Sequence, residues 1–127
     1  MENQTNQTET LKSIVEEILK NAERDTINGC FFRQEGIEPY NGEFYYEGQE
    51  DTYNALQESG ITAECADSYG GEGKGDDYWS VYEFSNGNES VYVRFDGWYA
   101  SYDGSEFNEW FFVEPKEVKV VRFSRCK

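Results

Sequence analysis

A chain of 127 residues has room for one ordinary domain and buries roughly two-thirds of its unfolded surface when it folds. Its 26 acidic residues outnumber 11 basic ones, giving a net charge of −15, which excludes general nucleic-acid binding because that needs a basic footprint. The sequence contains no histidine, so the commonest general base and metal ligand is missing, and with it every Ser-His or Cys-His nucleophile.

The charge is unevenly spread. Residues 1–115 hold 25 acids and 6 bases (net −19), whereas residues 116–127 hold 1 acid and 5 bases (net +4). High charge with low hydropathy favours disorder, but a 17% aromatic content and clear strand patterns argue for a folded domain. Cys30, Cys65 and Cys126 form neither a CxxC pair nor an even disulfide framework, and read as reduced thiols in a cytoplasmic compartment. No run of 18 apolar residues occurs, so a membrane span is not expected.

Residues 1–9 are polar and read as a flexible leader to a single domain over residues 10–127. From Thr10 onward, Leu11, Ile14, Val15, Ile18, Leu19 and Ala22 recur at helical spacing and define one apolar face. Thr8 or Thr10 supplies the N-cap, and Asn28-Gly29 the stop. Cys30, Phe31 and Phe32 then start a short strand or enter the core directly. Gly36–Gly48 reads as a loop or irregular hairpin around Asn41-Gly42. Asp51 can cap a second helix, with Tyr53 and Leu56 inward and Ser59-Gly60-Ile61 as terminator, and Ile61–Tyr69 adds an edge strand.

Tyr78–Phe123 holds 14 of the 22 aromatic residues and reads as YWSVYEF, NGN, ESVYVRFDGWYASY, DGSEF, NEWFFVEP and KEVKVVRF, with Gly, Asn and Asp as breaks. The expected fold is therefore α+β, with an N-terminal amphipathic helix packed on a four- to five-stranded antiparallel β-meander. Alternation puts Val91, Val93 and Phe95 on one face and Tyr92, Arg94 and Trp98 on the other. It likewise sets Phe107, Phe111 and Val113 against Trp110 and Phe112. Both faces thus carry large rings, and the one without the helix needs a second layer, a subunit or a partner.

The glycine-rich stretch Gly70–Gly75 lacks the Lys-Ser/Thr and following helix of a phosphate loop. Glu72, Asp76 and Asp77 match no calcium-loop spacing, so no metal, cofactor or catalytic residue is assigned. What remains is the carboxylate density. Fifteen net charges correspond to about 25 Å of duplex axis at about 1.7 Å per charge, on a domain about 35 Å across. A nucleic-acid surrogate would carry charge of that order, with Trp and Tyr as anchors in a basic groove.

The segments GGEGKGDDYWSVYEF, FDGWYASYDGSEF and VEPKEVKVV resemble those of small acidic accessory proteins encoded by bacterial viruses, over about Gly70 to Val121. The resemblance implies action in the cytoplasm of a bacterial host. Proteins of that kind include inhibitors of CRISPR nucleases and restriction enzymes, many of them nucleic-acid mimics. The expectation is then a non-enzymatic inhibitor that binds a host nucleic-acid-binding protein, a defence nuclease, and neither nucleic acid nor membrane itself. The expected contact residues are Glu72, Asp76, Asp77, Asp96, Asp103, Glu106 and Glu109, with Trp98, Tyr99 and Tyr102 as anchors. Two alternatives stay open: a protein that sequesters a nucleotide signal through aromatic side chains and Lys119, Arg122 and Arg125, or a homo-oligomeric structural subunit of a virus particle.

Overall fold

Thr10 fixes the start of the first helix. Its hydroxyl accepts the Ser13 N–H at 3.1 Å, and α1 runs Leu11–Asn21. Its apolar stripe is buried through Leu11, Val15 and Leu19, with Ile14, Ile18 and Ala22 packed beside them. The structure, a computed structural model, describes residues 10–71, 73, 75–100, 104–116 and 123–126. The expected leader, residues 1–9, lies outside them.

The helix ends earlier than Asn28-Gly29 predicts. Ala22 is already extended, and after a single turn, α2 (Arg24–Thr26), the chain enters a π-helix over Ile27–Phe32. The apolar spacing runs out at Glu23, Arg24 and Asp25, so a continued α1 would carry Phe31 and Phe32 past the core. The wider turn instead buries Cys30, Phe31 and Phe32 completely, with the Arg33 N–H reaching back to the Asn28 carbonyl at 2.8 Å. Of the two expectations for Cys30–Phe32, direct entry into the core is the one observed.

The loop that follows makes only an isolated bridge, Tyr40 to Glu43, around Asn41-Gly42. Buried Gln49 holds it to the next helix, accepting the N–H groups of Tyr45 and Tyr46 and donating to the Ile37 carbonyl at 3.0 Å. That helix, α3 (Gln49–Glu58), is entered from Gly48 rather than capped by Asp51. It closes as its sequence predicts: Gly60 adopts φ +68°, and the Ile61 N–H bonds the Leu56 carbonyl at 2.9 Å while Ile61 packs inward.

Four antiparallel strands follow in the order β1-β2-β3-β4: β1 (Thr62–Tyr69), β2 (Asp77–Ser85), β3 (Ser90–Ala100) and β4 (Gly104–Val113). The fold is α+β, with the helices ahead of the sheet in the chain and packed on one side of it. The edge strand expected at Ile61–Tyr69 is β1. Of the strand expected at Lys116–Phe123, residues 117–122 lie outside the described residues.

The face under the helices is built from Tyr78, Ser80, Tyr82 and Phe84 of β2 and Val91, Val93 and Phe95 of β3. Phe107, Trp110 and Phe112 of β4 complete it. Phe31 lies at its centre, stacked on Phe95 at 5.1 Å and edge-on to Tyr82 at 5.2 Å. Two polar side chains of β2 bond the carbonyls of the π-helix: Ser80 Oγ donates to Phe31 at 2.8 Å and the Tyr82 hydroxyl to Cys30 at 3.2 Å.

The expected split of β4 is corrected here. Asp96 pairs with Glu109 but Gly97 pairs with Phe107, leaving Asn108 as an extra residue. This bulge reverses the alternation, so Phe107 shares the helix side with Trp110 and Phe112 rather than facing away with Phe111 and Val113. Gly97 is needed at the same place, because a Cβ there would stand 2.2 Å from the Glu106 carbonyl oxygen and 2.6 Å from the Phe32 ring.

Gly97→Ala is therefore expected to destabilise the protein by about 2 kcal/mol or more through overpacking, read as a lower urea midpoint. A second expectation concerns alkali. Burial, aided by Glu35, pushes the Cys30 thiol from 9.0 up to about 12. The folded state thus favours the neutral thiol, and the unfolded chain ionises first. Stability should be intact below pH 9.0 and fall between 9.0 and about 12, by up to about 1.4 kcal/mol per pH unit from this group. Unfolding curves of Cys30→Ala should show a shallower loss over the same range.

Candidate functional site: the open face of the sheet

The other side of the sheet has no residue of the buried class among the described residues. Pairing register fixes its composition. Glu64 stands opposite Glu83, which stands opposite Tyr92 and then Val113. The next row is Asp67, Val81, Arg94 and Phe111, and the one after it Tyr69, Trp79, Asp96 and Glu109. Asp77, Trp98 and Glu106 form the last. Seven carboxylates (Glu64, Asp67, Asp77, Glu83, Asp96, Glu106 and Glu109) thus share a face with Arg94, its cation among the described residues.

Arg94 organises the middle of this face. Its Nε and Nη2 donate to Asp96 Oδ1 at 3.0 and 2.7 Å. Its guanidinium lies 4.6 Å from the Trp79 ring centroid and 6.0 Å from that of Phe111. Trp79 in turn stacks on Tyr69 at 6.1 Å. A ladder of Tyr69, Trp79, Arg94 and Phe111 therefore crosses all four strands. Like charges meet directly at Glu64–Glu83 and Asp96–Glu109, an arrangement that destabilises a strand pair. Arg94 offsets the second of these through Asp96.

Aromatic rings on this face remain accessible to a partner. Tyr69 is 43% exposed, Trp98 40% and Phe111 39%. The described residues include no helix long and apolar enough to cross a membrane, and nothing among them groups as a metal site.

Of the residues singled out from sequence, Asp77, Asp96, Trp98, Glu106 and Glu109 come together on this open face. Asp76 is exposed just before β2, where its carbonyl accepts the Tyr99 N–H at 2.9 Å. Tyr99 does not join Trp98: it lies on the helix side, stacked on Tyr78 at 6.0 Å. Glu106, on β4, lies 4.0 Å from the Arg24 guanidinium. Glu72, Tyr102 and Asp103 are outside the described residues. Sequence reasoning missed Trp79, Glu83, Glu64, Asp67 and Tyr69, although carrying the alternation of Tyr92, Arg94 and Trp98 across to YWSVYEF would have found the first two.

A separate cleft of about 620 Å³ opens where α1 meets the start of β3 and the end of β4. Lys12, Phe112, Glu114 and Lys116 are among its lining residues, and Lys12 Nζ lies 5.0 Å over the Phe112 ring. Among the expected tail cations, Arg125 is exposed, and Lys119 and Arg122 lie outside the described residues.

Arg94→Met keeps the stem over Trp79 but removes the charge that Asp96 holds. Stability should fall by about 1 kcal/mol at low salt, and the deficit should shrink in about 1 M salt as the repulsion between Asp96 and Glu109 is screened. Urea titrations at the two ionic strengths check this. Comparison of the chain with protein-family models, with curated proteins and with solved structures finds no match.

Proposed function

We propose that the protein is a non-enzymatic inhibitor, of the kind bacterial viruses use against their hosts, whose target is a defence nuclease such as a CRISPR effector or a restriction enzyme. The open face occupies the basic channel that the target uses for nucleic acid. One observation carries this reading: seven carboxylates are set around an exposed aromatic band, and the guanidinium among them is already held by Asp96. Such a face attracts a cationic surface over long range. It also offers Trp79, Trp98 and Phe111 as contacts that gain from losing water. The resemblance of Gly70–Val121 to viral accessory proteins supports the same direction.

A second reading has its own observation. The cleft between α1 and β4 brings Lys12 and Lys116 beside Phe112, and its volume of about 620 Å³ is that of a small-ligand site. A nucleotide held there would stabilise the fold in proportion to its saturation, so a thermal-shift panel of cyclic and linear nucleotides separates the two functions.

For the leading function, the chain immobilised in bacterial lysate should retain a nuclease that high salt, DNA or RNA releases. Asp77→Lys with Glu109→Lys should weaken inhibition of that nuclease at least ~10-fold, about 1.4 kcal/mol. Glu16→Lys with Glu17→Lys, on the solvent side of α1, should leave it unchanged. Equal losses from both double variants would reduce the effect to net charge and remove the open face from the mechanism.

A further inference from the structure

We infer that the open face seats a basic amphipathic helix, one whose apolar stripe is flanked on both sides by lysine or arginine; this rests on the reading of that face as the partner-binding surface. The register sorts the face into a diagonal band and two acidic flanks. Tyr69 and Trp79 begin the band, Arg94 lies midway, and Tyr92, Phe111 and Val113 end it. One flank is Glu64, Asp67 and Glu83. The other is Asp77, Asp96 and Glu109, with Trp98 and Glu106 in the row beyond it.

The separation of the flanks selects the occupant. Asp77 and Glu83 are six positions apart on β2, about 20 Å along the strand at about 3.3 Å per residue and about 15 Å across a band that runs diagonally to it. Glu64 and Glu109, diagonally across the four strands, are also about 20 Å apart by strand spacing and rise. A helix with its side chains is about 10 Å across. Centred on the band, it leaves from about 1 Å beside Asp67 and Asp96, which are about 12 Å apart by register, to about 5 Å beside Glu64 and Glu109, all within reach of a lysine or arginine stem whose methylenes lie along the rings. An extended strand has its inward side chains in one line and can serve the band or one flank, not all three. The centre does not repel an apolar stripe, because the Arg94 charge is held by Asp96 at 2.7 Å and laid over Trp79.

A second copy of the chain is a poor occupant. Two such faces would set seven carboxylates against seven, and like charges in apposition oppose association. Nucleic acid is excluded by the same sign. Charge complementarity and width together leave a cationic helix, the element with which many proteins contact nucleic acid.

The test uses the full chain and two labelled synthetic peptides of identical leucine and lysine content. In one, leucines fall at helical spacing between lysines; in the other, the order is permuted to break that period. Fluorescence anisotropy at about 100 mM salt keeps bulk charge attraction screened beyond about 10 Å. The patterned peptide should bind at least ~10-fold tighter than the permuted one. Trp79→Ser and, independently, Phe111→Ser should each remove most of that difference, and Glu17→Lys on α1 should not alter it. Circular dichroism of each variant confirms that the fold is kept, and Phe111, being 39% exposed, serves if Trp79→Ser unfolds.

Equal affinity for the two peptides would overturn the inference, as would a dimer in sedimentation that the patterned peptide dissociates. The result also separates this inference from the proposed function. Discrimination between peptides without inhibition of any nuclease upholds the helix seat and removes the nuclease. Inhibition that depends on Asp77 and Glu109, with no discrimination, does the reverse.

Discussion

The π-helix over Ile27–Phe32 is the constraint on which the rest of the structure depends. Its last carbonyls accept backbone N–H groups, Cys30 from Gly36 at 2.9 Å and Phe31 from Gln34 at 3.2 Å, and each has a second lone pair free for a donor from the sheet. Here the Cys30 and Phe31 carbonyls find Tyr82 and Ser80 on β2. Those two bonds lock the helical layer to the sheet at one register. They also explain a fully buried serine amid aromatic rings: an alanine there would leave the Phe31 carbonyl with only the Gln34 N–H at 3.2 Å, a loss of about 1 kcal/mol for one hydrogen bond. With the register fixed, Phe31 meets Phe95 and Phe84, and Phe32 meets Tyr78 and Phe107.

Confining the helices to one side of the sheet defines the other side by exclusion. The bulge at Asn108 finishes the arrangement, because it turns Phe107 toward Phe32 while leaving Phe111 and Glu109 on the open side. Arg24 supports the same strand from the helical layer, donating to the Phe107 carbonyl at 2.6 Å and lying 5.3 Å from the Phe107 ring. The candidate site is thus held by core contacts directly beneath it, with Gly97 marking the point of closest approach.

Much of this was legible in the sequence, for physical reasons. The stripe from Leu11 to Ala22, the alternation of Val91, Val93 and Phe95, and the Ser59-Gly60-Ile61 terminator each follow from local geometry that tertiary contacts did not override. Four features were missed. Asn28-Gly29 reads as a helix stop, yet tertiary burial of the adjacent apolar residues makes it part of a π-turn. Alternation in β4 fails at Asn108, because the bulge adds a residue there while its marker, Asp96-Gly97, which reads as turn residues or a bulge, lies across the pair on β3. Of the expected contact residues, Trp98 and Tyr99 were grouped by nearness in sequence, whereas neighbours along a strand point to opposite faces. The acids on β1 escaped notice because their place on the open face depends on the shift in pairing between Cys65 and Asp67.

The absence of buried side chains from the open face, among the described residues, has a consequence for how this protein can change over generations. Substitutions at strand positions that do not touch the core are usually worth no more than about 0.5 kcal/mol, and a chain only marginally stable can accumulate several of them. Positions such as Glu64, Val81, Tyr92 and Glu109 can therefore be rewritten while the layer beneath them keeps the fold. One side of the sheet can thus vary in sequence while the other keeps its shape.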